Sequence, residues 1–147
     1  MEQPNNNLRV FLDATKSNYD TIANADNALD GKAGTLMGIE IAFGIGYFTF
    51  FNASLTCTDI LGLILLLIST LLLLIVNWPR VYLPFSVNMF EKLDYLGKTE
   101  SNMLLQLISD GQNALDKNSR KLACKTSLYE AALGLLIFSS FLFIFKI

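Results

Sequence analysis

The stretch Ile60–Val76, ILGLILLLISTLLLLIV, carries no charged residue. Extended to Trp78 at its polar edge, it approaches the roughly 20 residues that cross a bilayer as a helix. A buried helix in a small soluble domain is seldom leucine on every side, because one face normally meets water. The stretch is therefore read as a transmembrane helix, and the rest of the chain is read outward from it. The chain has 147 residues, 52% of them hydrophobic, and a net charge of −2. That length suits one domain, but the apolar residues collect in three blocks instead of spreading through a soluble core.

The block before it, Thr35 to Phe51, is interrupted only by Glu40 and ends in the aromatic run YFTFF. The last block, Leu128–Phe145, holds Glu130 near its start and closes as LGLLIFSSFLFIF. Each is long enough to span. The expected fold class is an all-α integral membrane protein with three transmembrane helices and a cytoplasmic helical region, assembled as an oligomer. The expected segments are a cytoplasmic amphipathic helix over 1–32, spans over 33–54 and 58–78, a cytoplasmic helical region over 79–127, and a third span with its tail over 128–147.

Residues 1–32 are polar, so no secretory signal peptide is expected. Lysine and arginine set the orientation. Segment 1–32 has three (Arg9, Lys16, Lys32), the connection Asn77–Glu130 has seven, and the loop Asn52–Asp59 has none. The N-terminus and the long connection are expected in the cytoplasm; Lys146 alone opposes this. In that topology Cys57 and Cys124 lie on opposite sides of the membrane and cannot pair within one chain. The sequon Asn52-Ala53-Ser54 sits in a loop that hugs the membrane and is read as chance.

Within the cytoplasmic part, Leu8, Phe11, Leu12, Thr15, Tyr19, Ile22 and Leu29 recur mostly three or four apart, which makes one face of a helix. Asp30-Gly31 predicts a break or bend before the first span. In WPRVYLPFS, Pro79 and Pro84 predict a rigid turn after the second span, and Val87–Leu96 a short amphipathic helix closed by Gly97. A long helix starting near Thr99 or Ser101 is expected to run into the third span. Leu104, Ile108, Gly111, Leu115, Asn118 and Leu122 form a heptad seam on it, with a break possible at Gly111. Two partners are open for this seam: the Leu8–Leu29 helix of the same chain, or other copies around a symmetry axis, with Asn118 setting register.

The chain has no histidine, no clustered pair of acids, and no serine or cysteine beside a plausible base. GKAGT lacks the upstream glycine spacing of a phosphate loop. An enzyme is not expected, nor a metal or a catalytic cofactor. Three other features stand out. Glu40, about 8 Å along the helix from Thr35, either reaches headgroup water or faces a bundle interior or water path, where several copies would line a cation-attracting vestibule. Gly31, Gly34, Gly38, Ala42 and Gly46 allow close helix approach within or between chains. Glu40 and Gly38 are thus the candidate pore or gating residues. Lys117, Arg120, Lys121 and Lys125 suit anionic headgroups, or form with Lys32 a phosphate site for a regulatory nucleotide or oligonucleotide.

The segment LDGKAGTLMGIE resembles the (A)D-x-K-A-x-x-L motif at the head of the first span in Pycsar transmembrane effectors, small bacterial anti-phage membrane proteins. The likeness continues through Pro79-Arg80 after the second span and Lys121 followed by LYEAALGLLIF before the last, covering residues 21–147. Glu40 stands where that family more often has a neutral polar residue. The resemblance implies an inner-membrane effector paired with a nucleotide cyclase encoded nearby, whose signal makes the oligomer leaky. It also implies that Asp30, Lys32 and the cytoplasmic helices sense that signal. Hailong-type effectors, similar to channels held shut by the product of a partner nucleotidyltransferase, are a close variant. An accessory membrane subunit and a three-span holin are the rivals.

Overall fold

The computed structural model describes residues 3–50, 56–80, 82–83 and 99–145. Those residues form three α-helices and no strand: α1 (Gln3–Phe50), α2 (Cys57–Asn77) and α3 (Glu100–Phe145). Two of them, α2 and α3, are long and apolar enough to cross a membrane. The 21 residues of α2 extend about 31 Å, close to the hydrocarbon thickness of a bilayer.

Local chemistry accounts for the limits of α2. Thr56 is its N-cap, and Asp59 closes a capping box by accepting from the Thr56 backbone while the Thr56 hydroxyl accepts from the Asp59 amide. At the other end Trp78 is extended (φ −65°, ψ 128°) because the following proline disfavours helical backbone there. Of the break or bend predicted at Asp30-Gly31, no break occurs: α1 is one helix of 48 residues. A glycine inside a helix costs about 1 kcal/mol, which the surrounding turns outweigh. Likewise α3 runs through Gly111 without interruption, with that glycine buried. The helix expected over Val87–Leu96 lies outside the described residues.

The chain divides into two compact units. The first comprises Met1–Asp26 and Arg80–Leu122. Its buried residues on α3 are Leu104, Gly111, Ala114 and Asn118, a stripe with spacings of seven, three and four. On α1 it buries Thr15, whose hydroxyl donates to the Phe11 carbonyl at 2.8 Å. Arg9 Nη2 lies 2.5 Å from Glu100 Oε1 at the exposed end. That hydrogen bond, with the carboxylate charge, raises the Arg9 pKa above its ordinary value.

The second unit comprises Asn27–Pro79 and Ala123–Ile147. Its buried positions recur by three and four on all three helices: Leu29, Ala33, Leu36, Glu40 and Tyr47 on α1; Asp59, Gly62, Leu66, Ser69, Leu73 and Val76 on α2; Ala132, Leu136, Ser139 and Phe143 on α3. A period of 3.5 is the seam of helices wound left-handedly around one another. Phe143 covers Gly62 so closely that a Cβ on the glycine would lie 2.8 Å from the ring. The ring also stacks on Tyr47, with centroids 4.2 Å apart, and Ser139 donates to the Gly62 carbonyl at 2.8 Å. The outward faces are apolar, including Ile64, Leu67 and Leu71 on α2, Ile41 and Ile45 on α1, and Ile137 and Phe141 on α3. Polar groups inside and large aliphatic groups outside reverse the pattern of a water-soluble bundle.

Candidate functional site

The second unit carries a seam of polar side chains. At its centre Glu40, 1% exposed, directs its carboxylate from α1 at two adjacent hydroxyls of α2. Ser69 Oγ donates to Glu40 Oε1, and Thr70 Oγ1 donates to Oε2 at 2.8 Å. The same two hydroxyls reach backbone carbonyls: Ser69 Oγ lies 2.7 Å from the Ala132 oxygen on α3, and Thr70 Oγ1 lies 3.0 Å from the Leu66 oxygen. Ser69, fully buried, thus ties α2 to both other helices. Toward the end of α1, Tyr47 donates its phenolic proton to Asp59 Oδ1. At the opposite end the buried Lys125 places Nζ 2.5 Å from Asp30 Oδ1, whose side chain is 40% exposed. A buried ammonium requires such a partner.

The Glu40 carboxylate is enclosed between helices of its own chain. Along the α1–α2 face, a groove of about 440 Å³ runs beside Glu40 and Thr70 and continues past Gly44 and Ile45 to Thr49. A second groove, of about 550 Å³, is lined by Gly31, Lys32, Thr35 and Tyr129. Lys32 is exposed. Gly38 is exposed as well, and a Cβ at Gly31, Gly34, Gly38 or Gly46 would meet no atom within 4 Å among the described residues. These glycines do not serve close packing inside the unit; Gly62, outside the predicted ladder, does.

The remaining predicted residues belong to the first unit. Lys117 and Arg120 are exposed. Lys121 places Nζ 5.8 Å from the centroid of Tyr82, whose hydroxyl donates to Asp26 Oδ1 at 2.7 Å. Of the predicted seam, Leu104, Gly111 and Asn118 are buried, whereas Ile108, Leu115 and Leu122 are half-buried and Ala114 takes the core position beside Leu115. The Asn118 amide is occupied within the chain: its Oδ1 accepts from the Leu83 N–H at 3.1 Å and its Nδ2 donates to the Leu83 carbonyl at 3.0 Å. Within the chain, that amide clasps both backbone groups of Leu83. Asp30 and Lys32, by contrast, belong to the second unit.

Sequence reasoning missed Ser69, Thr70, Tyr47, Asp59 and Ser139, and placed Lys125 only in a basic run. A signal was present: Ser69-Thr70 is the one polar pair inside Ile60–Val76. Neither cysteine forms a disulfide, and no group of three or more acids, cysteines or histidines able to hold a metal occurs among the described residues. Comparison of the chain with protein-family models, with curated proteins and with solved structures finds no match.

Proposed function

We propose that the chain is a homo-oligomeric, multi-pass effector of the bacterial inner membrane that forms or gates an ion-conducting pore under control of a nucleotide signal in anti-phage defence. In this reading α1 supplies a third span over 33–54 beside those at 58–78 and 128–147, with the N-terminus in the cytoplasm. The observation that carries the proposal is the seam at Glu40: a carboxylate and two hydroxyls held among helices whose outer faces are apolar. Ionisable groups at membrane depth are costly, and they mark ion paths and switching elements. In this reading the shut state is the one in which Glu40 is closed on Ser69 and Thr70. Parting of α1 from α2 would turn three oxygen-bearing side chains toward a cation path.

The resemblance to Pycsar effectors supports the nucleotide part, with Asp30, Lys32, Lys117, Arg120 and Lys121 as the ligand-binding residues. A nucleotide controls the pore only if it binds the open and shut states with different affinity. The test is a membrane-potential dye in cells expressing the chain with and without a neighbouring cyclase or nucleotidyltransferase. Depolarisation in one condition supports the effector, and which condition depolarises decides whether the ligand opens or closes it. Polarised membranes in both, with Glu40→Gln and Lys32→Ala indistinguishable from the parent, refute the pore. Titration of purified protein with cyclic mononucleotides and short oligonucleotides tests the sensor, and no binding by any of them refutes it.

A further inference from the structure

We propose that Glu40, Ser69 and Thr70 form a binding site for a dehydrated monovalent cation between α1 and α2. Three observations carry this. First, the carboxylate is enclosed, and among the described residues no lysine or arginine forms an ion pair with it. Among the described residues its partners are two neutral hydroxyls, which supply hydrogen bonds but no counter-charge.

Second, the donors are outnumbered. Ser69 and Thr70 offer one hydroxyl proton each, yet four acceptor oxygens lie in reach: Glu40 Oε1 and Oε2 and the carbonyls of Ala132 and Leu66. Each hydroxyl already has its alternative acceptor in place, at 2.7 Å for Ser69 and 3.0 Å for Thr70. When a cation arrives from the groove, each proton rotates from the carboxylate to its carbonyl, and the oxygens, no longer bridged by a proton, part to admit the ion. Two carboxylate oxygens and two hydroxyl lone pairs are then free to ligate, an all-oxygen set of the kind hard cations take. Third, the groove beside Glu40 and Thr70 brings the site to the surface of the unit, which gives a route of exchange.

The site stands independently of the pore: a cation can be held here whether or not the chain conducts. Thermal unfolding of the purified full chain in detergent tests it, with Na⁺ as probe and choline replacing it at constant ionic strength and pH. Raising Na⁺ from about 1 mM to about 300 mM is expected to lift Tm by about 4 °C or more, because a ligand bound only by the folded state stabilises it. Thr70→Val and Glu40→Gln should each abolish the Na⁺-dependent rise, whatever they do to the starting Tm. Equal Tm in Na⁺ and choline for the parent overturns the proposal, and so does a rise that survives in both variants. A Na⁺-dependent rise in a chain that leaves membranes polarised leaves the site standing and refutes the pore alone.

Discussion

Replacement of Ser69 by alanine is the sharpest probe of the bundle. The side chain is fully buried, and its hydroxyl is the group that touches both Glu40 on α1 and the Ala132 carbonyl on α3. Two magnitudes compete. Hydrogen bonds between membrane helices average about 0.6 kcal/mol, because the separated helices find other partners. Hydrogen bonds to a charged acceptor contribute about 1.5–3 kcal/mol, and stranding a buried charge costs more still. The acceptor here is a carboxylate 1% exposed, and Thr70 remains bonded to its other oxygen, so about 2 kcal/mol is expected. That is about a thirtyfold change in the folded-to-unfolded ratio. Unfolding in mixed micelles titrated with a denaturing detergent, followed through the single tryptophan, Trp78, reads this directly. In a Glu40→Met background the same Ser69→Ala change should cost less than about 0.5 kcal/mol, since the interacting partner is gone. Equal cost in both backgrounds refutes the view that the hydroxyl acts through Glu40.

Three further outcomes follow from other contacts. Gly62→Ala drives a methyl into the Phe143 ring, with a destabilisation of about 1–3 kcal/mol, and Phe143→Leu in the same chain should recover most of it in the same unfolding assay. Asp30→Asn removes the carboxylate facing the buried Lys125 ammonium and should cost about 2 kcal/mol, less than for a fully buried pair because Asp30 is partly in solvent; Lys125→Met should cost less than Asp30→Asn. Asn118→Ala should accelerate amide hydrogen exchange at Leu83 by about tenfold while exchange in α3 stays unchanged, because both backbone bonds of Leu83 come from that one amide.

Much of the helical framework was legible in the chain. The uncharged leucine run predicts α2 almost to its ends, because in lipid an apolar segment satisfies its backbone only by closing on itself as a helix. The heptad spacing on α3 predicts burial of Leu104 and Asn118. The partners were harder to see, since they lie far along the chain: Glu40 meets residues 29 and 30 positions away, and Asn118 meets one 35 positions away. Part of this was still recoverable. Antiparallel helices joined by a short loop bring positions equally far from that loop to the same depth, and Glu40 with Ser69, like Tyr47 with Asp59, satisfies this symmetry. The break predicted at Gly31 does not occur for a different reason. Glycine weakens a helix without interrupting its hydrogen bonds, as proline would, and the Thr35 hydroxyl even returns to the Gly31 carbonyl at 3.0 Å.

The Glu40 clasp also bears on how the chain is made. If α1 spans as proposed, it emerges from the ribosome before α2, so Glu40 reaches the insertion machinery while both hydroxyls that receive it are still inside the ribosome. An acidic residue at the centre of a lone inserting helix carries a penalty of about 2.5–3.5 kcal/mol on translocon scales, and Glu40, about 8 Å past Thr35, would bear part of it. The leucine-rich α2 has ample favourable transfer energy to offset that penalty. For a spanning α1, integration of α1 and α2 together, as a hairpin already closed on Glu40, would therefore be the favoured route.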